Sequence, residues 1–189
     1  MNQYIEDKKF ENINFTKEPL TKGNYEYCTF NGCNMHGIDL SDVSFLECNF
    51  VDCDMSLSKL PNTAFRDVKF KGTKLLGLNF DDCNTFGLSF SFSECLLDNT
   101  SFYKLKLKKT KFQGCRLSGV DFTESDLTSS VFVDCDLQGA VFQNSILEKA
   151  DLTTSYNYSI DPEQNRIKKA KFSLPAVTGL LTKYDIVIK

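Results

Sequence analysis

The stretch Cys28-Thr-Phe30-Asn-Gly-Cys33-Asn-Met35-His-Gly-Ile38-Asp-Leu40-Ser-Asp-Val43-Ser-Phe45-Leu-Glu-Cys48-Asn-Phe50-Val-Asp-Cys53-Asp-Met55 decides the fold. A large apolar residue returns at every fifth place: Phe30, Met35, Leu40, Phe45, Phe50, Met55. The same step runs back to Phe10 and forward to Phe90, then slips by seven residues to Leu97 and continues to Leu152. Thr85 is the one centre in this series that is not large and apolar. An amphipathic helix repeats near 3.6 residues and a plain strand at 2, so a step of five belongs to neither.

A second phase runs two residues ahead of each centre, through Cys28, Cys33, Ile38, Val43, Cys48 and Cys53 and later Cys95, Thr100, Leu105, Thr110 and Cys115. All eight cysteines fall in it. Side chains two apart on an extended segment point the same way, so both phases face inward. The three remaining places, rich in Asp, Asn, Lys, Ser and Gly, face water and turn a corner. A unit this short cannot bury its inner face alone and must stack on copies of itself. Like residues recur every twenty places, as in Phe10, Phe30, Phe50, Phe70 and Phe90 or Cys95, Cys115 and Cys135. One turn is then four units around a roughly square section, and about seven turns at ~4.8 Å give a rod of about 34 Å. The seven-residue step predicts a two-residue corner bulge near 86–94.

Units such as Cys53-Asp-Met55, Cys135-Asp-Leu137, Ala140-Val-Phe142 and Ala150-Asp-Leu152 resemble those of the pentapeptide-repeat family, over roughly Phe10 to Leu152. The resemblance implies an all-β fold, a right-handed quadrilateral parallel β-helix, expected over residues 1–172 with irregular first and last turns. Residues 173–189 read as a separate cap. Ser173 is placed to N-cap a short α-helix, with Pro175 in its first turn. Leu174, Val177, Leu180, Leu181 and Tyr184 form its apolar stripe, Asp185 ends it, and Ile186-Val-Ile188 reads as a short strand. This tail resembles that of the Qnr-type quinolone-resistance proteins, which implies a homodimer joined through the helix.

The chain has 189 residues, 41 % apolar and 25 % charged, with net charge −3, which suits one soluble domain. It carries no apolar run long enough for a membrane span and no basic-then-apolar leader, so a cytoplasmic location is expected. The cysteine spacing does not make the close pairs of a zinc site, and Ser, Thr, Val and Ala replace Cys in the same phase. The eight therefore read as reduced core thiols, and neither metal nor cofactor is expected. His36, the single histidine, follows Met35 at an outward place and has no partners for a triad. Phosphate-loop, dinucleotide and zinc-protease motifs are missing, so the sequence supports neither an enzyme nor a small-molecule substrate.

Charge falls in blocks along the chain. Asp39, Asp42, Glu47, Asp52, Asp54 and Asp67 face only Lys59 and Arg66. The segment 104–116 is purely basic, with Lys104, Lys106, Lys108, Lys109, Lys111 and Arg116. Acids return with Asp121, Glu124, Asp126, Asp134 and Asp136. The Qnr-like resemblance implies an interaction protein that imitates DNA, these five carboxylates standing for phosphates in the groove of DNA gyrase or topoisomerase IV. The other readings are a scaffold for a different protein partner, or an anion or nucleic-acid binder using the basic band.

Overall fold

The computed structural model describes residues 3–188; Met1, Asn2 and Lys189 lie outside the described residues. Strands β1 (Gln3–Glu6), β3 (Gly23–Glu26), β5 (Ser44–Leu46) and β7 (Ala64–Arg66) form a four-stranded sheet. Strands β2 (Lys9–Glu11), β4 (Thr29–Asn31), β6 (Asn49–Val51), β8 (Val68–Lys71), β9 (Phe90–Ser93), β10 (Lys111–Gln113) and β11 (Val131–Val133) form a seven-stranded one. Every pairing is parallel, and Phe10 pairs Phe30, Phe30 pairs Phe50 and Phe50 pairs Phe70. The partner is always one turn away, so the chain is a parallel β-solenoid of four five-residue units per turn. The other two sides hold single residue pairs in the same register, such as Asn34 with Asp54 and Asp39 with Lys59. No helix among the described residues is long and apolar enough to cross a membrane.

Both inward phases form the core. Phe30, Phe50, Phe70, Phe92, Phe112 and Phe132 make one column of stacked rings 4.8 to 5.3 Å apart. A second column, Phe80, Phe102, Phe122 and Phe142, meets the first edge to face at about 6 Å. Offset stacking within a column and T-shaped contact between columns are the two favourable ring geometries, each adding about 0.5–1.5 kcal/mol beyond burial.

The place two before the centre has its own chemistry. Ser58, Thr63, Thr73, Ser145 and Ser155 donate their hydroxyls to the carbonyl oxygens of Met35, Leu40, Phe50, Phe122 and Phe132, one turn back. Cys33, Cys48, Cys53 and Cys135 donate their thiols to the corresponding carbonyls of Phe10, Tyr25, Phe30 and Phe112 at 3.4 Å. Cys, Ser and Thr therefore exchange in this phase because each offers a small donor at one point.

Corners are built from two devices. The last residue of most units takes a left-handed backbone, as at Asp52 (φ 52°), Asn62 (φ 56°), Gly72 (φ 59°) and Asn99 (φ 55°). Gly, Asn and Asp tolerate that region best. At the outward middle place, an Asp or Asn side chain accepts the amide N–H two residues on: Asn34 from His36, Asp54 from Ser56, Asp121 from Thr123, Asp136 from Gln138.

One turn is two residues longer. Val68 pairs Phe90 and Phe70 pairs Phe92, a register of twenty-two, and Phe92 with Phe112 restores twenty. Ala64 still pairs Asn84, so the extra residues lie between Asn84 and Phe90. Phe90 therefore does not extend the column of Phe10 to Phe70 as its spacing suggests; Phe92 does. Thr85 is exposed there, while Phe90 turns inward and packs on Phe80 and Phe92 at 5.2 and 5.0 Å.

The cap differs from its expected form. Residues 173–184 make no α-helix, only 3₁₀ turns at Val177–Leu180 and Thr182–Tyr184, and Ile186–Ile188 is not a strand. Ser173 does receive the Ala176 amide at 3.3 Å, as an N-cap would. Pro175, β-branched Val177 and Thr178, and Gly179 leave too little helix propensity for so short a segment. Docking decides the rest: the Ile160 N–H donates to the Gly179 carbonyl at 2.9 Å, and a Cβ on Gly179 would lie 2.3 Å from the Tyr158 carbonyl oxygen.

Candidate interaction surfaces

The five acids singled out above lie within one turn but do not share one face. Asp121 and Asp126 project from adjacent sides, and Glu124 occupies the corner between them. Asp134 is half a turn away, on the diagonally opposite corner, and Asp136 is on a third side stacked between Arg116 and Tyr156. Most have local partners. Asp121 and Asp136 close corners, and Asp136 also accepts from Asn157 Nδ2 at 2.9 Å. Glu124 meets Lys104 at 3.5 Å. Asp126 meets Lys108 at 3.1 Å. Partial burial opposes the charge on Asp126, but the Thr128 hydroxyl and amide and the Lys108 ammonium outweigh it and hold its pKa below the ordinary range.

The basic band divides as well. Lys104, Lys106, Lys108 and Lys109 occupy one side and its corners, Lys111 the next side and Arg116 a third. Arg116 forms an ion pair with Asp98. Lys106, Lys109 and Lys111 have no carboxylate within 4.0 Å among the described residues. His36 is a surface residue, its Nδ1 3.8 Å from Asp54 Oδ1.

Of the apolar stripe assigned to the cap, Leu180 packs against the core. Val177 and Leu181 are half-buried, Tyr184 donates its hydroxyl to Glu163 at 2.9 Å, and Leu174 is 86 % exposed. Exposed Ile186, Val187 and Ile188 extend that apolar surface. Lys183 clamps the segment to the last turn through Asp161 at 2.8 Å and Glu163 at 2.6 Å. Sequence reasoning missed Phe86, 80 % exposed at the bulge, with the Arg66 guanidinium over its ring and donating to its carbonyl. The signal for it was the break at Thr85.

All eight cysteines are buried and free. Burial pushes the Cys48 and Cys53 thiols up to about 12, and Cys83 higher still. No group of His, Cys, Asp and Glu among the described residues is arranged to hold a metal ion.

A parallel coil of five-residue units with inward Phe and Leu columns defines a repeat-solenoid protein. The pentapeptide repeat region matches residues 23–91 and 89–156, and the chain belongs to that family. No curated sequence is a match. Among solved structures, a trypsin-treated form of QnrB1, a plasmid-mediated fluoroquinolone resistance protein, aligns with 18 % identity and a TM-score of 0.63, covering 100 % of this chain and 99 % of that one. HetL, a pentapeptide repeat protein involved in heterocyst differentiation regulation from the cyanobacterium Nostoc sp. strain PCC 7120, aligns at 16 % identity and TM-score 0.58, covering 92 % and 89 %. Both likenesses are of fold.

Proposed function

We propose that the protein is a cytoplasmic, non-enzymatic interaction module, a right-handed four-sided rod that docks on a type II topoisomerase, DNA gyrase or topoisomerase IV. What carries the reading is the acidic turn Asp121 to Asp136 on a rod that aligns with QnrB1 end to end. The enzyme's Lys and Arg side chains, which otherwise neutralise DNA phosphates, would meet carboxylates instead. Asp121, Glu124 and Asp126 lie on two adjacent sides and the corner between them, which supports a contact made by these three, with Asp134 on the opposite corner. The test is supercoiling by purified gyrase, with and without a fluoroquinolone, as the protein is added. Inhibition or protection supports the reading, and neither at about 10⁻⁵ M sinks it. In the variant Asp121→Asn, Glu124→Gln, Asp126→Asn the effect is expected to fall and to lose salt dependence. Asn keeps the oxygen that closes each corner, so the fold is expected to stand. Asp134→Asn is expected to change little.

The protein is also proposed to pair tail to tail, through Leu174, Val177, Leu180, Leu181 and Tyr184 as the first-assigned surface. Exposed Leu174, Ile186, Val187 and Ile188 support this, because an apolar patch at a rod end is poorly tolerated in water. Sedimentation of the wild type beside Leu174→Asp and Leu181→Asp checks it: a dimer that both variants leave intact, or a monomeric wild type, removes the proposal.

A further inference from the structure

The register slip leaves a recess. On the turns below and above the slip, outward places lie in register twenty residues apart, as with Asn49 and Lys69 or Lys111 and Val131. Between Asn84 and Phe90 the chain departs from the ladder, and a hollow of about 270 Å³ opens between the turns below and above. Lys69, Lys106, Lys108 and Lys109 line it, with Asp67, Ser89 and Ser91 among them and Leu88 and Phe90 as its apolar wall. Asp67 is engaged: its amide donates to Ser89 Oγ at 2.7 Å, and its Oδ1 accepts from that hydroxyl at 3.1 Å. Lys108 is shared with Asp126. Lys69, Lys106 and Lys109 have no carboxylate within 4.0 Å, and the Ser91 hydroxyl has no hydrogen bond, among the described residues.

The geometry points to a binding site for a small phosphate-bearing anion, a pyrophosphate or the polyphosphate of a nucleotide, in this recess. Four ammonium groups on flexible stems against two engaged carboxylates, Asp67 in the recess and Asp126 on Lys108, leave an excess of positive charge. Lysine serves phosphate as a mobile point charge that needs no planar fork. A recess of about 270 Å³ has room for a di- or triphosphate. Ser91 supplies a neutral donor, and Leu88 and Phe90 offer a face on which a nucleoside could lie.

The full chain is to be titrated calorimetrically at about 0.15 M salt, where charges more than ~8 Å apart are largely screened, with sodium pyrophosphate, with adenosine triphosphate, and with a single-stranded oligonucleotide. Saturable binding of pyrophosphate is expected, and Lys69→Gln/Lys109→Gln is expected to weaken it by roughly tenfold, about 1.4 kcal/mol. Lys168→Gln/Lys169→Gln, the same charge change away from the recess, is expected to alter it by less than about twofold. Equal affinity for pyrophosphate and the nucleotide assigns recognition to phosphate alone, and tighter nucleotide binding adds the apolar wall. No pyrophosphate binding, equal weakening in both double variants, or binding of the oligonucleotide without pyrophosphate overturns the site. Unfolding midpoints of both variants separate lost binding from a lost fold.

Discussion

Ser130 and Ser145 occupy equivalent inward places and are both fully buried, yet their hydroxyls differ. Ser145 donates to the Phe122 carbonyl at 2.7 Å, whereas Ser130 Oγ has no partner. Removing the first forfeits a hydrogen bond of about 1 kcal/mol, and removing the second ends the desolvation of an unsatisfied group. Ser145→Ala is therefore expected to lower the urea midpoint, and Ser130→Ala to leave it level or raise it. If both lower it equally, the hydrogen bond is not what distinguishes them. The cysteines yield a second expectation. With burial holding Cys48 and Cys53 protonated up to about 12, a thiol reagent at pH 8 is expected to label the native protein very slowly and to reach all eight groups after denaturation. Fast native labelling would contradict the inward phase.

The cap is the element where side-chain pattern and backbone part company. Apolar residues three and four apart satisfy an α-helix, but the 3₁₀ turns formed here place residues three apart on one face equally well. What chooses between them is the approach of Gly179 to the Tyr158 carbonyl, a long-range contact that a local pattern does not carry. The slip was legible as a change of step, while its place was not. Phe90-Ser-Phe92 offers two rings two residues apart, so either can continue the column, and only the pairing with Val68 and Phe70 selects Phe92. The acid blocks were legible as charge, but not as corners, because the same Asp that could meet a partner also closes its own turn. The recess lay outside any motif, since it is made by backbone leaving the ladder. The latch at the cap gives a pH test. Lys183 hydrogen-bonds both Asp161 and Glu163 and lowers both pKa values, so its contribution is present above the ordinary carboxylate range and fades as pH falls through the depressed values. Lys183→Gln is expected to speed proteolysis of residues 177–184 relative to wild type at pH 7, with the difference shrinking as pH falls below the ordinary carboxylate range. A difference that stays the same size as the pH falls through the whole carboxylate range would assign the effect to something other than these two carboxylates.

Across the whole molecule, one edge carries a gradient of charge. Its successive corners are Asp7, Tyr27, Glu47 and Asp67 on the near side of the slip and Lys109, Ser129, Lys149 and Lys169 beyond it. The bulge lies at the boundary, between an acidic half and a basic half. Together with the acids on other sides, this sets blocks of opposite charge at different heights on a rod whose net charge is only −3. The parallel register has a mechanical consequence as well. Because each coil contacts only the coils above and below, a molecule held at its two ends and stretched should peel from an end one coil at a time rather than rupture at once. Each released coil of twenty residues adds roughly 65 Å of contour, and the coil that carries the bulge adds about 7 Å more. A single-molecule extension trace is thus expected to show an even ladder of steps with one step out of measure, and that step locates the slip along the rod.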